Sequence, residues 1–183
     1  MKKSLFAICA FLFMMIHHPL SFAQTNPVEL GVHFESVLPF GRFSNLNPVG
    51  LGGVANVNYL VKENVAINVE SGYLWFPGKT RVQSNNYKVR NPYLRVVPVR
   101  VGARYLFGEQ IPLFLQGQVG AAIVTARDNY GFGNTVRSRN YTYFTFSPAF
   151  GYRKNNVEFL VKYEGWMKNE ISSFLGAQIG FYF

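Results

Sequence analysis

Apolar and polar residues alternate along most of the chain with a period of two, the periodicity of β-strands whose successive side chains point to opposite faces. In the segment VELGVHFES, for example, Val28, Leu30 and Val32 alternate with Glu29, Gly31 and His33. Further segments repeat this pattern, and almost none of the chain has the period of an amphipathic helix. The sequence therefore predicts eight strands, at residues 28–36, 51–60, 65–76, 93–107, 113–124, 141–152, 157–166 and 172–183.

The connections between these strands differ in length in a regular way. Long polar connections follow the first, third and fifth strands, and tight ones follow the second, fourth and sixth. Long and short connections at opposite rims, joining strands of about ten residues, are typical of outer-membrane barrels. The connection after the seventh strand departs from the pattern, because it is short where a long one is expected.

The less apolar face of the strands carries mainly Gly, Asn, Gln, Ala and Ser, where a soluble sandwich or a lipocalin-like barrel would carry surface Lys and Glu. Small and amide residues suit the narrow, side-chain-filled interior of an eight-stranded barrel, in which charges must be paired. We expect no open channel, and a proton or ion path is the alternative use of these charges. Arg153 is expected to join the group at the rim. The predicted polar lumen network comprises Glu29, His33, Glu35, Glu70, Arg100, Arg104, Glu158, Lys162 and Glu164.

The apolar face has aliphatic residues in its middle and aromatic residues toward the strand ends, such as Tyr59 and Tyr105 at one end and Tyr73 and Trp75 at the other. Aromatic girdles at both interfaces are a feature of membrane barrels. The predicted fold is therefore all-β: an eight-stranded antiparallel up-and-down transmembrane β-barrel. Pro98 and Pro148 fall inside strands and cannot donate to the sheet ladder, so we interpret them as bulges or bends.

The first 23 residues have the layout of a secretory signal peptide: a basic start, an apolar run, and small residues in SFA before Gln24. A retained membrane anchor is the alternative, but the run is short for a membrane span. A lipoprotein reading is rejected because Cys9, the one cysteine, lies inside the apolar run. Removing this segment takes Lys2 and Lys3 from a chain of formal charge +9 and leaves a predicted barrel domain at residues 24–183.

An exported chain of eight alternating strands with a terminal Phe183 resembles the small OmpA/OmpX-type outer-membrane barrels. The segments VPVRVGARYLFG and SSFLGAQIGFYF are especially similar to the outer-membrane β-barrel domains common in Bacteroidetes. The resemblance covers Val28 to Phe183 and implies residence in the outer membrane of a Gram-negative bacterium. It also implies that Phe181 and Phe183 form the signal that the outer-membrane assembly machinery reads.

Catalytic chemistry has few candidate residues in this sequence. Some eight-stranded barrels are lipid A or phospholipid hydrolases or acyltransferases, and a serine hydrolase needs a histidine base with an acidic partner. His33 is the one histidine outside the leader, and it shares a strand face with Glu35. We expect His33 to belong to the lumen network and the protein to be no enzyme. One histidine and no mature cysteine also predict no metal site and no cofactor.

The long connections carry basic residues that could pair with the phosphates of lipopolysaccharide. Polyanion or host-matrix binding and solvated charges without a specific ligand are the alternatives. Export and the lack of a recognisable module disfavour nucleic acid as a partner. We therefore expect a monomeric, non-catalytic barrel with both termini in the periplasm, acting in membrane integrity or surface interaction. A lipid-modifying enzyme using His33 and a soluble exported lipocalin-like barrel are the alternatives. The candidate binding residues are Lys79, Arg81, Lys88, Arg90, Arg127, Arg137 and Arg139.

Overall fold

The computed structural model of the protein describes residues 27–82, 88–107, 112–129 and 136–183. The predicted signal peptide lies outside these residues. Among the described residues no helix has the length and apolar character needed to span a membrane.

The described chain forms ten strands and one short helix. The helix, α1, spans Arg42–Leu46 in the first long connection. The strands are β1 (Val28–Pro39), β2 (Gly50–Lys62), β3 (Val65–Phe76), β4 (Thr80–Val82), β5 (Lys88–Arg90), β6 (Tyr93–Leu106), β7 (Leu113–Asn129), β8 (Val136–Lys154), β9 (Val157–Met167) and β10 (Ile171–Tyr182).

Eight of these strands close into one barrel, in the spatial order β1-β10-β9-β8-β7-β6-β3-β2, and β4 and β5 form a separate two-stranded ribbon. Every neighbouring pair in the barrel is antiparallel. The barrel closes where β1 pairs with β10, with Phe34 opposite Ile179. The backbone N–H of Phe183 extends this ladder by donating to the Leu30 carbonyl at 2.9 Å. The predicted eight-stranded up-and-down barrel is thus confirmed.

Two strands are longer than their apolar alternation predicted. The pairing of β7 with β8 continues to Asn129 opposite Val136, beyond the barrel wall and into the polar segment assigned to a loop. The alternation of apolar and polar residues ends before the strands do. Beyond the apolar part of the barrel wall, the strands pair through backbone hydrogen bonds and need no apolar face. The helix α1 and the β4–β5 ribbon likewise occupy segments predicted as long loops.

Pro98 and Pro148 do not produce bulges, and this part of the sequence interpretation was wrong. The β3–β6 ladder pairs Ser71 with Val99 and resumes at Leu74 with Val96, in the same register. The β8–β9 ladder is interrupted beside Pro148 and also resumes in register. Each proline therefore removes pairing on one side only, and the hydroxyl of Ser71 donates to the Pro98 carbonyl at 2.9 Å.

The two faces of the barrel wall have opposite character. Large apolar side chains remain exposed on the outside, as at Val101 (48%), Val119 (49%) and Val161 (53%), with aromatic residues near both rims. The inner face is buried almost completely, including its charged residues. The sheet therefore has an apolar exterior and a filled interior, the reverse of a soluble barrel with a charged surface.

Candidate functional site: the lumen and its two rims

The middle of the lumen is organised around Arg100 of β6. Its guanidinium hydrogen-bonds Glu70 of β3 and reaches both carboxylate oxygens of Glu164 of β9 at 2.8 and 2.9 Å. The indole N–H of Trp166 also donates to Glu164, at 2.7 Å. All these side chains are buried. One guanidinium nitrogen thus contacts both oxygens of Glu164 while the other contacts Glu70, and such charge-assisted pairing is what a buried arginine requires.

Lys162 and Glu35 complete this middle layer. The ammonium of Lys162 lies 2.7 Å from Glu35 Oε1 and within 3.7 Å of Glu70 and Glu164. The amide of Gln178 donates to Glu35 Oε2 at 3.0 Å. The layer thus places three carboxylates around two cations, an excess of one negative charge among fully buried groups.

A second polar layer lies nearer the tight turns. Arg104 forks onto Glu158, at 2.6 and 3.0 Å, and onto the side-chain oxygen of Gln116. Its guanidinium also stacks 4.1 Å from the centre of the Phe114 ring. His33 Nε2 is 3.4 Å from the same Glu158, and His33 Nδ1 is 3.1 Å from the Asn56 amide.

The tight-turn rim is closed by an ion pair over an aromatic ring. Arg153 of β8 contacts both carboxylate oxygens of Glu29 of β1, at 2.6 and 3.0 Å. The Arg153 guanidinium lies 4.1 Å from the centre of the buried Tyr182 ring. The structure therefore places all nine predicted network residues inside the barrel or at its mouth, together with Arg153.

At the long-loop end the inner face becomes apolar, which the sequence interpretation missed. Phe76, Trp166 and Phe174 pack edge-on or tilted against one another with ring centroids 4.4–6.3 Å apart. Phe43 of α1 inserts over them, 5.1 Å from Phe174 and 5.9 Å from the other two rings. The signal was available, because these strand residues have inner-face parity. We call this layer the aromatic plug; its buried members are Val37, Leu74, Phe76, Leu94, Val96, Ala122, Val124, Trp166 and Phe174.

His33 is not arranged for hydrolysis of a lipid. Its carboxylate neighbour is Glu158 rather than the Glu35 that strand parity suggested, and its side chain is 1% exposed. The inner-facing Ser147 hydroxyl is buried and has no hydrogen-bond partner in the described structure. A catalytic serine would need the histidine within hydrogen-bond reach, together with access for its substrate. No cluster of three or more His, Cys, Asp or Glu within the described ranges could hold a metal ion.

The candidate basic residues lie at the long-loop rim, some with both backbone and side chain in the described part of the structure and others with the backbone alone. Lys79 is exposed, with its backbone N–H on the Leu46 carbonyl at 2.9 Å, and Arg139 is exposed on the extended part of β8. Arg127 is half-buried on β7. The backbones of Arg81, Lys88 and Arg90 lie in the β4–β5 ribbon and that of Arg137 in β8, while their side chains lie outside the described residues.

The sequence interpretation also missed Arg95, which it placed inside a strand without a role. Arg95 stands on the outer face of β6, directly opposite Trp75 of β3. Its guanidinium lies 5.6 Å from the centre of the Tyr93 ring. The signal that would have found it is a single charged residue on the outer face of β6, where the other outward residues are apolar or aromatic.

Comparisons with known proteins identify the architecture. No protein-family model matches the chain, and no curated protein matches it significantly. Among solved structures, the N-terminal barrel domain of Pseudomonas aeruginosa OprF matches with a TM-score of 0.58 and 14% identity, covering 85% of this chain and 97% of that one.

Two further solved barrels match over similar lengths. The attachment invasion locus protein Ail of Yersinia pestis, in complex with the heparin analogue sucrose octasulfate, has a TM-score of 0.59 and 16% identity over 85% of this chain and 96% of its own. Neisserial surface protein A has a TM-score of 0.53 and 12% identity, over 88% of this chain and 100% of its own. The chain therefore has the fold of the small eight-stranded outer-membrane β-barrels.

Proposed function

We propose that this protein is a monomeric integral outer-membrane β-barrel, with its tight turns and both termini in the periplasm and its long connections outside the cell. The observation that carries the proposal is the exposed apolar belt around a closed barrel with a buried polar interior. Such an exterior is stable in hydrocarbon, where every backbone polar group must be paired within the protein. The predicted signal peptide supports the same location.

The second part of the proposal is that the barrel works without catalysis, by binding anions at its outer rim. The lumen cations are engaged in ion pairs inside the barrel, whereas the candidate basic residues lie at the outer rim, where a ligand outside the barrel can approach them. Arg and Lys clusters bind phosphates and sulfates by charge-assisted hydrogen bonds. The solved complex of the similar barrel Ail with a heparin analogue supports this use of the fold. The ligands proposed here are the phosphates of lipopolysaccharide and other surface polyanions, with membrane integrity as the resulting role.

The location is tested by fractionation of cells that express the full chain. The protein should sediment with the outer membrane and migrate faster on a gel before boiling than after it, because a closed barrel resists unfolding in detergent. Recovery of the chain in the soluble periplasmic fraction would favour a lipocalin-like barrel and contradict the proposal.

The binding role is tested with lipopolysaccharide and sucrose octasulfate as probes. Arg81→Gln/Arg90→Gln and Arg137→Gln/Arg139→Gln should each weaken binding, and added salt should weaken binding to the unmodified protein. The matched control is Lys62→Gln/Lys154→Gln, which removes two exposed positive charges at the tight-turn rim. Equal binding by the loop variants and the control would exclude the basic connections as the binding surface.

A further inference from the structure

Two arginines face outward on neighbouring strands near the long-loop rim. Arg95 faces out because Leu94 and Val96, on either side of it in β6, are buried in the aromatic plug. Arg127 faces out because its neighbour Ala126 packs against that plug. Both are half-buried against the barrel wall.

The strand register brings these arginines together. Tyr93 of β6 lies opposite Arg127 of β7, and Arg95 lies opposite Thr125, two positions from Arg127 on the same face. Diagonal neighbours of this kind are about 7–8 Å apart and within reach of long side chains. The Arg95 guanidinium lies over the Tyr93 ring, and Tyr93 is the residue directly opposite Arg127. One tetrahedral anion could therefore contact both arginines.

Both arginines lack an acidic partner among the residues that the structure describes. No carboxylate of the described residues forms an ion pair with Arg95 or Arg127, in contrast to the paired arginines of the lumen. The Nε of Arg127 is also buried from solvent without a hydrogen-bond partner in the described structure. A buried donor without a partner is costly, so the present position of the Arg127 side chain is not its most stable one.

The height of the pair on the barrel wall identifies the kind of anion. On the outer face of β6, Arg95 occupies the next position beyond Val97 toward the long-loop rim, and Arg127 follows Ile123 and Thr125 on β7, so the pair begins where the exposed apolar belt ends. Tyr105, at the opposite end of β6, is ten residues from Arg95. That span is about 33 Å along the strand and about 25 Å along the axis of a barrel with tilted strands, which equals the height of the lipid-facing belt. Arg95 therefore lies at the level of the headgroups.

We propose that Arg95 and Arg127 form a binding site for the phosphate of an outer-leaflet lipid, whose acyl chains lie along Val97, Ile123 and the Trp75 ring. The site takes a lipid because the guanidinium groups and the apolar belt are contiguous, so the ligand that fits is anionic at one end and apolar at the other. It rests on the orientation given under Proposed function, and it combines Arg127, one of the candidate basic residues, with Arg95 on the barrel wall. Bidentate guanidinium contacts suit phosphate, and the adjacent Trp75 and Tyr93 rings suit the headgroup interface.

The test uses the full-length mature protein in phosphatidylcholine nanodiscs, titrated with bisphosphorylated lipid A or with the same lipid A after removal of its phosphates. Native mass spectrometry counts the bound lipid molecules. The unmodified protein should bind the phosphorylated form about tenfold more tightly or better, as expected for charge-assisted hydrogen bonds. Arg95→Gln/Arg127→Gln should lose most of that preference, and the control Lys62→Gln/Lys154→Gln should keep it.

The outcomes separate this site from the broader proposal. A lipid A preference that survives in Arg95→Gln/Arg127→Gln, with unchanged heat-modifiable mobility showing that the barrel folds, overturns the site. If Arg95→Gln/Arg127→Gln loses the preference for phosphorylated lipid A but still binds soluble sucrose octasulfate, the wall site and the basic connections are distinct binding surfaces. If the variants of the basic connections lose lipid A binding while Arg95→Gln/Arg127→Gln keeps it, the proposed function stands and the proposed wall site is wrong. Arg95→Lys/Arg127→Lys provides a second variant, which keeps the charge and should retain part of the preference.

Discussion

Arg100 occupies the centre of the middle lumen layer, where its guanidinium contacts Glu70, Glu164 and, at 3.5 Å, Glu35. With Lys162 as the second cation, the layer has one more carboxylate than it has positive charges. Loss of a cation and loss of a carboxylate should therefore have unequal consequences. Removing a cation leaves buried charge unpaired, whereas neutralising one carboxylate brings the two signs into balance.

Arg100→Met should lower the free energy of unfolding by about 3–5 kcal/mol, the usual cost of breaking a buried ion pair. Glu35→Gln is the matched variant of the same layer, because it preserves shape while removing the excess charge, and it should cost about 1 kcal/mol. Urea unfolding of the barrel in lipid vesicles, followed by heat-modifiable gel mobility, measures both. Equal losses in the two variants would show that charge balance does not govern this layer.

At the scale of the element, the short helix α1 does more than join β1 to β2. It has no side-chain cap hydrogen bond, and Phe43 attaches it to the barrel by contacts with Phe76, Trp166 and Phe174. A five-residue helix is too short to be stable by itself, so packing of this ring and the hydrogen bond from Lys79 N–H to the Leu46 carbonyl hold the first connection over the mouth.

Phe43→Ala should therefore loosen α1 and admit water to the aromatic plug. The probe is Trp166, which is 1% exposed, in a Trp75→Phe background that removes the outward-facing tryptophan. Acrylamide should quench Trp166 more strongly, with a red-shifted emission, while the barrel remains heat-modifiable. Phe40→Ala, a change of an exposed ring just before α1, serves as the control. Equal quenching in both variants would mean that Phe43 does not seal the mouth.

The closing strand β10 carries the two aromatics that the family resemblance assigns to assembly. Phe181 and Phe183 point outward, 55% and 73% exposed, so their side chains contribute little to packing within the barrel. Phe183→Ala should therefore lower the amount of protein in the outer membrane more than it lowers the stability of the refolded barrel. Phe159→Ala, an outward-facing ring on β9 that is 50% exposed, gives the comparison. Normal outer-membrane levels of Phe183→Ala would contradict an assembly role.

At the scale of the whole molecule, the lumen is filled in layers from one rim to the other. The Glu29–Arg153 pair closes the tight-turn mouth, two charged layers follow, and the aromatic plug closes the opposite end. A barrel of eight strands has room for side chains and little else. In planar lipid bilayers the protein should therefore give no steady unitary current, and persistent single-channel steps would contradict a filled lumen.

Local periodicity determined a large part of this structure. The inner or outer face of a residue follows from its parity within a strand, so the eight strands of the barrel, the apolar belt and the polar lumen could be predicted without tertiary information. The membership of the lumen network came from the same rule, because a charge on the inner face of a narrow barrel must be enclosed. The ends of β7 and β8 could not be predicted, because strand pairing above the belt leaves no apolar signal.

The partner of each residue was decided by tertiary structure alone. His33 pairs with Glu158 instead of Glu35 because closure of the barrel brings β1 close to β9, which is distant in sequence. Arg95 lies beside Arg127 because the register between β6 and β7 makes them diagonal neighbours. The aromatic plug depends on a helix that folds back over the mouth from a segment without strand periodicity. Parity is a property of one strand and can be read from the sequence, whereas adjacency is a property of the closed sheet. The proposed lipid site depends on the register between β6 and β7.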